Sequence, residues 1–378
     1  MLSIKELTEA PYVDLGRIES FLAENEFPLI EGRQVTFVYR GPAQDVHLRH
    51  WIHGLTSSQP FARIQGTHDL WYLVMEMPEG SRVEYKLELV QQGRRQLVRD
   101  PLNRHLANDP FGANSVIHAA GYEEPDWVDE DEQARPGEIQ TRSIESKVFG
   151  DTREIQVYLP ARFRRTRRYP LLIVHDGADY VRFAALKTVL DNLVHRHEIA
   201  SPIVVMTSSP NRMQEYAGDP RHGDYIVKDV LPVIEREFPL VVDASARCLM
   251  GASFGAVASL ATAWRHPGIF GKLLLQSGSF VFTDIGPHDK PSVFDPVVDF
   301  VNEFRESPGT LPPEVYLSCG TYESLITYNR AMVPFLRDHG VTVNFTEARD
   351  GHNWENWRDR LREGLTWLLP GPLWLVYE

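Results

Sequence analysis

The chain has 378 residues, 43% hydrophobic and 24% charged, enough for two domains and at least one large core. Its formal net charge of −13 argues against nucleic acid or an anionic membrane surface as partner, because both call for basic patches. Two cysteines, Cys248 and Cys319, cannot build a disulfide framework and suit a reducing compartment. The opening residues MLSIKELTEAPYVDLGRIESF carry acidic side chains where a secretory signal needs an apolar core, and no run is apolar enough for a membrane span. A soluble, cytoplasmic protein is expected.

Along the chain, Leu15, Ile18, Phe21 and Leu22 recur at helical spacing within residues 14–25. From Gln34 the period becomes two. VTFVYR, VHLRHW, LWYLVMEM, VEYKLELV and SVIHA are short strand-like runs separated by turn-rich pieces. This spacing predicts a small antiparallel, immunoglobulin-like β-sandwich over residues 1–122. Trp51, Trp71 and Tyr72 could form a sugar-stacking platform, but aromatic residues in a sandwich more often fill its core, and the core reading is preferred. Residues 123–140 are acidic, carry two prolines and show no period, so they read as a linker, with the run Asp129–Glu132 solvated.

Residues 141–378 alternate strand and helix. RSIESKVF and REIQVYLP predict a hairpin around Gly150-Asp151. LLIVHDG, PIVVMTS, RCLMGAS, KLLLQSG, EVYLSCG and TVNFTEA are buried-strand patterns, with helices expected near 181–197, 224–238, 256–265 and 354–368. Fully apolar strands alternating with helices mean a mostly parallel sheet covered on both faces. The expected class is α/β, an α/β-hydrolase fold with its nucleophile after the fifth of eight strands.

Gly251-Ala252-Ser253-Phe254-Gly255 reads G-x-S-x-G, which alone turns up by chance in roughly one chain in ten of this length. A strand before it and an alanine-rich helix after it supply the setting of a nucleophile elbow. A serine hydroxyl needs a histidine base held by a carboxylate. Of the downstream histidines His266, His288, His339 and His352, the last lies between the final strand and the final helix, and is the expected base. His266 and His339 fall at helix ends and read as caps. Glu323, just past EVYLSCG, is the expected acid, with Asp338 and Asp350 as weaker alternatives. Phe254 N–H and the N–H of Gly177 or Ala178 are the expected oxyanion donors. His175 and Asp176 are neighbours on a strand end, so their side chains diverge and a structural role is expected. The cluster His195-Arg196-His197-Glu198 lacks metal-ligand spacing and reads as a solvated helix end, so neither metal nor cofactor is expected.

GASFGAVASLATAWRHPGIFGKLLLQSGSF, CGTYESLITYNRAM and RDGHNWENWRDRLREGL resemble the elbow, acid loop and histidine segment of the enterochelin (enterobactin) esterases and related esterase D-type α/β-hydrolases. Asp176-Gly177 and Arg212-x-x-Glu215 match the same pattern. HGLTSSQPFARIQGTHDLWYL and Asp100-Pro101-Leu102-Asn103 are similar to the sandwich that precedes the catalytic domain in that family. Ala252 and Ala256 depart from it, standing where siderophore esterases tend to carry Gln and Gly. The resemblance implies hydrolysis of ester bonds in a ferric catecholate siderophore. Such a polyanion needs basic contacts, and Arg182, Arg212, Arg330 and Arg349, with Glu215 and Trp354, are the residues expected around it. An acyl esterase on sugars or plant phenolic esters, a peptidase and a non-catalytic hydrolase-fold module are the rival functions. The partner is expected to be a small-molecule ester. The chain is expected to be a monomer or a homodimer, with the apolar tail Pro372–Tyr377 packing on its own domain or on a second copy.

Overall fold

The computed structural model describes residues 3–67 and 69–372. Contacts divide the chain into two compact units. One comprises Met1–Glu124 together with Gly320–Ser324 and Ala348–Asn353, and the other comprises the remaining segments.

The first unit begins with helices α1 (Lys5–Thr8) and α2 (Leu15–Glu24). Asp14 caps α2 by accepting the Arg17 N–H at 2.8 Å. Ten strands follow: β1 (Leu29–Glu31), β2 (Gln34–Arg40), β3 (Asp45–His50), β4 (Ser58–Pro60), β5 (Ala62–Arg63), β6 (Leu70–Glu76), β7 (Arg82–Gln91), β8 (Arg94–Val98), β9 (Leu106–Asp109) and β10 (Gly112–His118). They pair into a four-stranded sheet, β1-β2-β6-β5, and a six-stranded one, β4-β3-β7-β10-β9 with β8 on β7. Phe37 and Trp71 of the first sheet share a core with Leu48, Tyr85, Leu87 and Ile117 of the second, as a sandwich requires. Ile18 and Phe21 of α2 cover the other face of the first sheet, where Val38 and Leu70 point. That is why VTFVYR is buried along its length instead of alternating. Trp71 is core and Tyr72 packs beneath α2, whereas Trp51 is 58% exposed. The core reading therefore holds for two of the three aromatics.

The second unit is built on β11 (Glu138–Ser146), β12 (Asp151–Leu159), β13 (Leu171–His175), β14 (Ile203–Thr207), β15 (Arg247–Ala252), β16 (Lys272–Gln276), β17 (Glu314–Gly320) and β18 (Thr342–Ala348). These form one eight-stranded sheet in the order β11-β12-β14-β13-β15-β16-β17-β18. The β11/β12 hairpin is antiparallel, β12 meets β14 antiparallel, and β13 to β17 pair in parallel. This is the α/β-hydrolase order, and β15 is its fifth strand in sequence. Helices α3 (Gly177–Phe183), α4 (Leu186–His195), α5 (Arg212–Glu215), α6 (Pro220–Asp224), α7 (Leu231–Glu237), α8 (Phe254–Arg265), α9 (Asp295–Glu306), α10 (Ile326–Asp338), α11 (Trp354–Asp359) and α12 (Leu361–Leu368) surround it. Ile226, Val257, Phe300 and Leu336 pack on one face and Leu190, Leu193, Leu361 and Leu365 on the other. Burying each such side chain stabilises by about 1.5–3 kcal/mol, so both faces contribute heavily.

Two expected helices are broken. The one near 181–197 begins earlier, at Gly177, and divides where Ala185 takes a positive φ of 49°. The last divides at Arg360. Residues 125–137 carry no helix or strand, yet they are tied to the second unit. Val128 is buried, and the Asn192 amide donates to the carbonyls of Trp127 and Asp129 at 2.9 and 2.7 Å. The acidic Asp129, Glu130 and Glu132 stay exposed. Among the described residues no helix is long and apolar enough to cross a membrane. The tail from Leu373 onward lies outside the described residues.

Candidate active site

Ser253 stands between β15 and α8 with φ 56° and ψ −121°, a backbone setting that costs an L-residue about 1–3 kcal/mol. Its flanking glycines make that turn possible. A Cβ on Gly251 would strike the backbone of Gly255, and one on Gly255 would lie 3.3 Å from the His175 Cβ. The Ser253 N–H donates to the Gln276 carbonyl at 2.9 Å, and its Oγ lies 3.2 Å from that of Ser279. Asn329 fixes the loop carrying Ser279 by bonding both the N–H and the carbonyl of Gly278, at 3.1 and 2.8 Å.

Phe254 opens α8 and Gly177 opens α3, so their N–H groups have no acceptor within their own helix. The turn before Gly177 is left-handed, with Asp176 at φ 56°. A Cβ on Gly177 would collide with Met206, which is why this position is glycine. Asp176 accepts from Arg212 Nε at 2.8 Å and is buried. The same carboxylate would lie 3.4 Å from a Cβ on Gly255, so the turn bearing Gly177 packs directly on the elbow.

Glu323 and His352 belong to the first unit. Glu323 Oε2 is 2.7 Å from His352 Nδ1, and Oε1 accepts the Gly320 N–H at 2.8 Å. The glutamate side chain is 1% exposed and the imidazole 38%. A carboxylate on Nδ1 fixes the ring with its proton there and leaves Nε2 basic. The two predicted partners are thus brought together; Asp338 is not part of the pair. Asp350 is buried beside it and bonds Asn353 and the Gly351 N–H instead.

A family model described as "Putative esterase" matches residues 146–368, more than half of the chain. The chain belongs to this Esterase family. Its reaction class is therefore carboxylic ester hydrolysis. Among curated proteins the esterase is 24% identical to the Iron(III) enterobactin esterase of Dickeya dadantii over 91% of this chain and 90% of that one. It is 23% identical to the Bacillus subtilis protein YjcH over 62% of this chain and 98% of that one. The enterobactin esterase from Shigella flexneri, solved in the presence of enterobactin, matches with a TM-score of 0.75 at 20% identity. That match covers 94% of this chain and 99% of the other, and shows the same fold.

The remaining expected residues of the esterase part company. Arg212 is 34% exposed and stands beside the Gly177 turn through Asp176. Trp354 stacks near Tyr180, Phe183 and Trp357, with ring centroids at 5.2, 5.8 and 4.8 Å, and the exposed Arg182 lies over Phe183. Arg330 is held by Glu347 in a two-pronged surface pair at 2.7 and 2.6 Å. Arg349 bonds the Glu79 carbonyl in the first unit. Glu215, expected around the substrate, is turned inward instead. It is 3% exposed and bonds Arg153 at 2.7 and 2.9 Å, which makes it an internal ion pair. Beside it, His222 Nε2 lies 2.9 Å from His175 Nε2, deep in the unit. His175 and Asp176 do diverge, one into this pair and the other to Arg212. His339 caps α10 and His266 caps α8. Cys248 is buried, and burial pushes its thiol up to about 12, so it is inert. A groove of about 590 Å³ lined by Arg142, Arg162, Arg165 and Arg236 lies at the C-terminal end of β12, at the other end of the strands from Ser253.

Sequence reasoning missed Ser279, Arg153 and His222. Only Ser279 left a trace, in the small-residue run Ser277-Gly278-Ser279 after β16.

Proposed function

We propose that the chain is a serine esterase acting on the ester bonds of a ferric catecholate siderophore of the enterobactin kind. The observation that carries the chemistry is the short Glu323–His352 bond, with a buried carboxylate and a partly exposed ring. The strained serine turn supports it. The substrate reading leans on the full-length alignment with the Dickeya relative, which includes the sandwich.

In this mechanism Ser253 Oγ attacks the ester carbonyl carbon while His352 Nε2 takes its proton. Glu323 keeps the Nδ1 proton in place and stabilises the imidazolium. The carbonyl oxygen, now an oxyanion, accepts from Phe254 N–H and from Gly177 or Ala178 N–H. Collapse expels the alcohol, which receives the proton from His352. Water then enters, loses a proton to the same nitrogen, and frees the acid and Ser253. Arg212, Arg182 and Trp354 would meet the anionic, aromatic substrate by charge and stacking.

A fluorophosphonate is expected to label the native protein and not Ser253→Ala; undiminished labelling of the alanine variant would refute the serine mechanism. Turnover of a ferric catecholate triester, compared with feruloylated and acetylated sugars, tests the substrate. Preference for a sugar ester would replace the siderophore reading with the acyl-esterase one.

A further inference from the structure

The segments that carry the acid and the base cluster with the sandwich: Gly320–Ser324 and Ala348–Asn353 both fall in the first unit. Hydrogen bonds explain why. The loops are first sewn to one another, Thr321 N–H donating to the Ala348 carbonyl at 2.7 Å and Tyr322 N–H to that of Asp350 at 3.1 Å. Sandwich residues then hold both. His53 N–H donates to the Tyr322 carbonyl at 2.8 Å, and Ser81 Oγ is 2.6 Å from the Tyr322 hydroxyl. Arg82 N–H donates to the Arg349 carbonyl at 2.9 Å.

The Arg82 side chain is the centre of this attachment. It heads β7, is 1% exposed, and reaches Asp350 at 3.2 and 3.3 Å and Asn353 Oδ1 at 2.9 Å. Its other arm meets Glu84 at 3.1 Å. The residues it grips lie two before and one after His352. A buried guanidinium of this kind stabilises only when its partners are well placed, and its removal strands a buried carboxylate. The planar fork reaches three acceptors at once, which a lysine ammonium does not reproduce.

We propose that Arg82 is a positioning residue for His352, so that the sandwich supports the general base of the esterase rather than merely preceding its sheet. The proposal rests on His352 being that base.

The full-length protein is tested as Arg82→Met, Arg82→Lys and the double variant Arg82→Met/Asp350→Asn, with Ser253→Ala beside them. The double variant removes the charge stranded at Asp350, while Glu84 keeps its bond from the Asn114 amide at 2.7 Å, and so keeps the test alive if Arg82→Met does not fold. A misplacement of about 1 Å costs about 100-fold in rate, so kcat and the fluorophosphonate labelling rate of Arg82→Met should both fall about 100-fold, with KM within about twofold. Arg82→Lys should recover part of the loss, and the double variant should fold yet stay slow. Wild-type kcat in folded Arg82→Met, or in the double variant, would overturn the positioning role. Ser253→Ala separates the two readings. If it is inactive while Arg82→Met is normal, only the positioning role falls. If it keeps its turnover, the serine mechanism falls and the role of Arg82 with it.

Discussion

Among the described residues two glutamate–histidine sites stand out, and they differ in almost every physical respect. In the first unit Glu323 bonds one imidazole directly at 2.7 Å, and that ring is 38% exposed. In the second, Glu215 lies 3.8 Å from His222, and both side chains are 3% exposed. Both Glu215 oxygens already serve Arg153. The His222 ring faces His175, whose Nδ1 is 3.1 Å from the Met250 carbonyl and 3.0 Å from Ser259 Oγ. A carbonyl only accepts, so His175 carries its proton on Nδ1 and takes the His222 Nε2–H on its other nitrogen. Burial holds both imidazoles below the usual histidine range. Identical residue types thus make a closed network in one place and a directly bonded carboxylate–imidazole pair with a partly exposed ring in the other. Which it becomes depends on whether the carboxylate is shared with an arginine and whether the ring meets solvent.

Mutating the two sites should separate rate from stability. Glu323→Gln, which permits the wrong tautomer, should lower kcat about 10³–10⁴-fold, as should His352→Ala, with the unfolding midpoint little changed. Steady-state kinetics and denaturant titration check this. Arg153→Met strands Glu215 and should cost about 3–5 kcal/mol of stability, with the folded fraction turning over at the normal rate. A slow but fully stable Arg153→Met would erase the distinction between the sites.

Acid titration sharpens it further. Burial would raise the Glu215 carboxyl, but the neighbouring His222 and the hydrogen bonds from Arg153 and Ser209 outweigh it and bring the group down to about 2 from an ordinary 4.5. Its folded value lies below its unfolded one. Its contribution is therefore complete above pH 4.5 and is lost as pH falls towards 2. Asp350 behaves oppositely. Burial raises it from 3.8 to about 6 despite Arg82, and Glu84 adds to the rise. Its burial costs least below pH 3.8, and stability is lost as pH climbs through 6. Stability measured from pH 2.5 to 7 should lose its low-pH slope in Glu215→Gln and its mid-range slope in Asp350→Asn. Parallel curves for either variant and the native protein would contradict the assignment.

Much of this was legible in the sequence because strand ends fix loops. Ser253 and Glu323 each follow a strand whose apolar run is plain, His352 follows the alternating strand β18, and the turn glycines at 251 and 255 mark the elbow. The networks were not legible. Arg153 and Glu215 are 62 positions apart, and Arg82 and Asp350 are 268 apart, distances that no local period registers. Strand β8, Arg94–Val98, escaped notice because its residues are nearly all exposed and carry no alternation. The break at Ala185 was hidden because alanine favours helix, and only tertiary packing sets its positive φ.

The smallest effects should come from the arginines. Arg212 shares Asp176 with the turn bearing Gly177, so Arg212→Gln frees a buried carboxylate next to the proposed oxyanion donor. Losing such a charge-assisted bond should cost about tenfold in kcat/KM. Arg330, also expected from sequence to meet substrate, is 53% exposed and committed to Glu347. Surface pairs of that kind contribute about 0–1 kcal/mol. Arg330→Gln should therefore leave both stability and KM for an anionic ester near native values. A larger KM increase in Arg330→Gln than in Arg212→Gln would mean that the Glu347 pair opens for the ligand. The anionic part of the substrate would then be held from α10 rather than from the Asp176 turn.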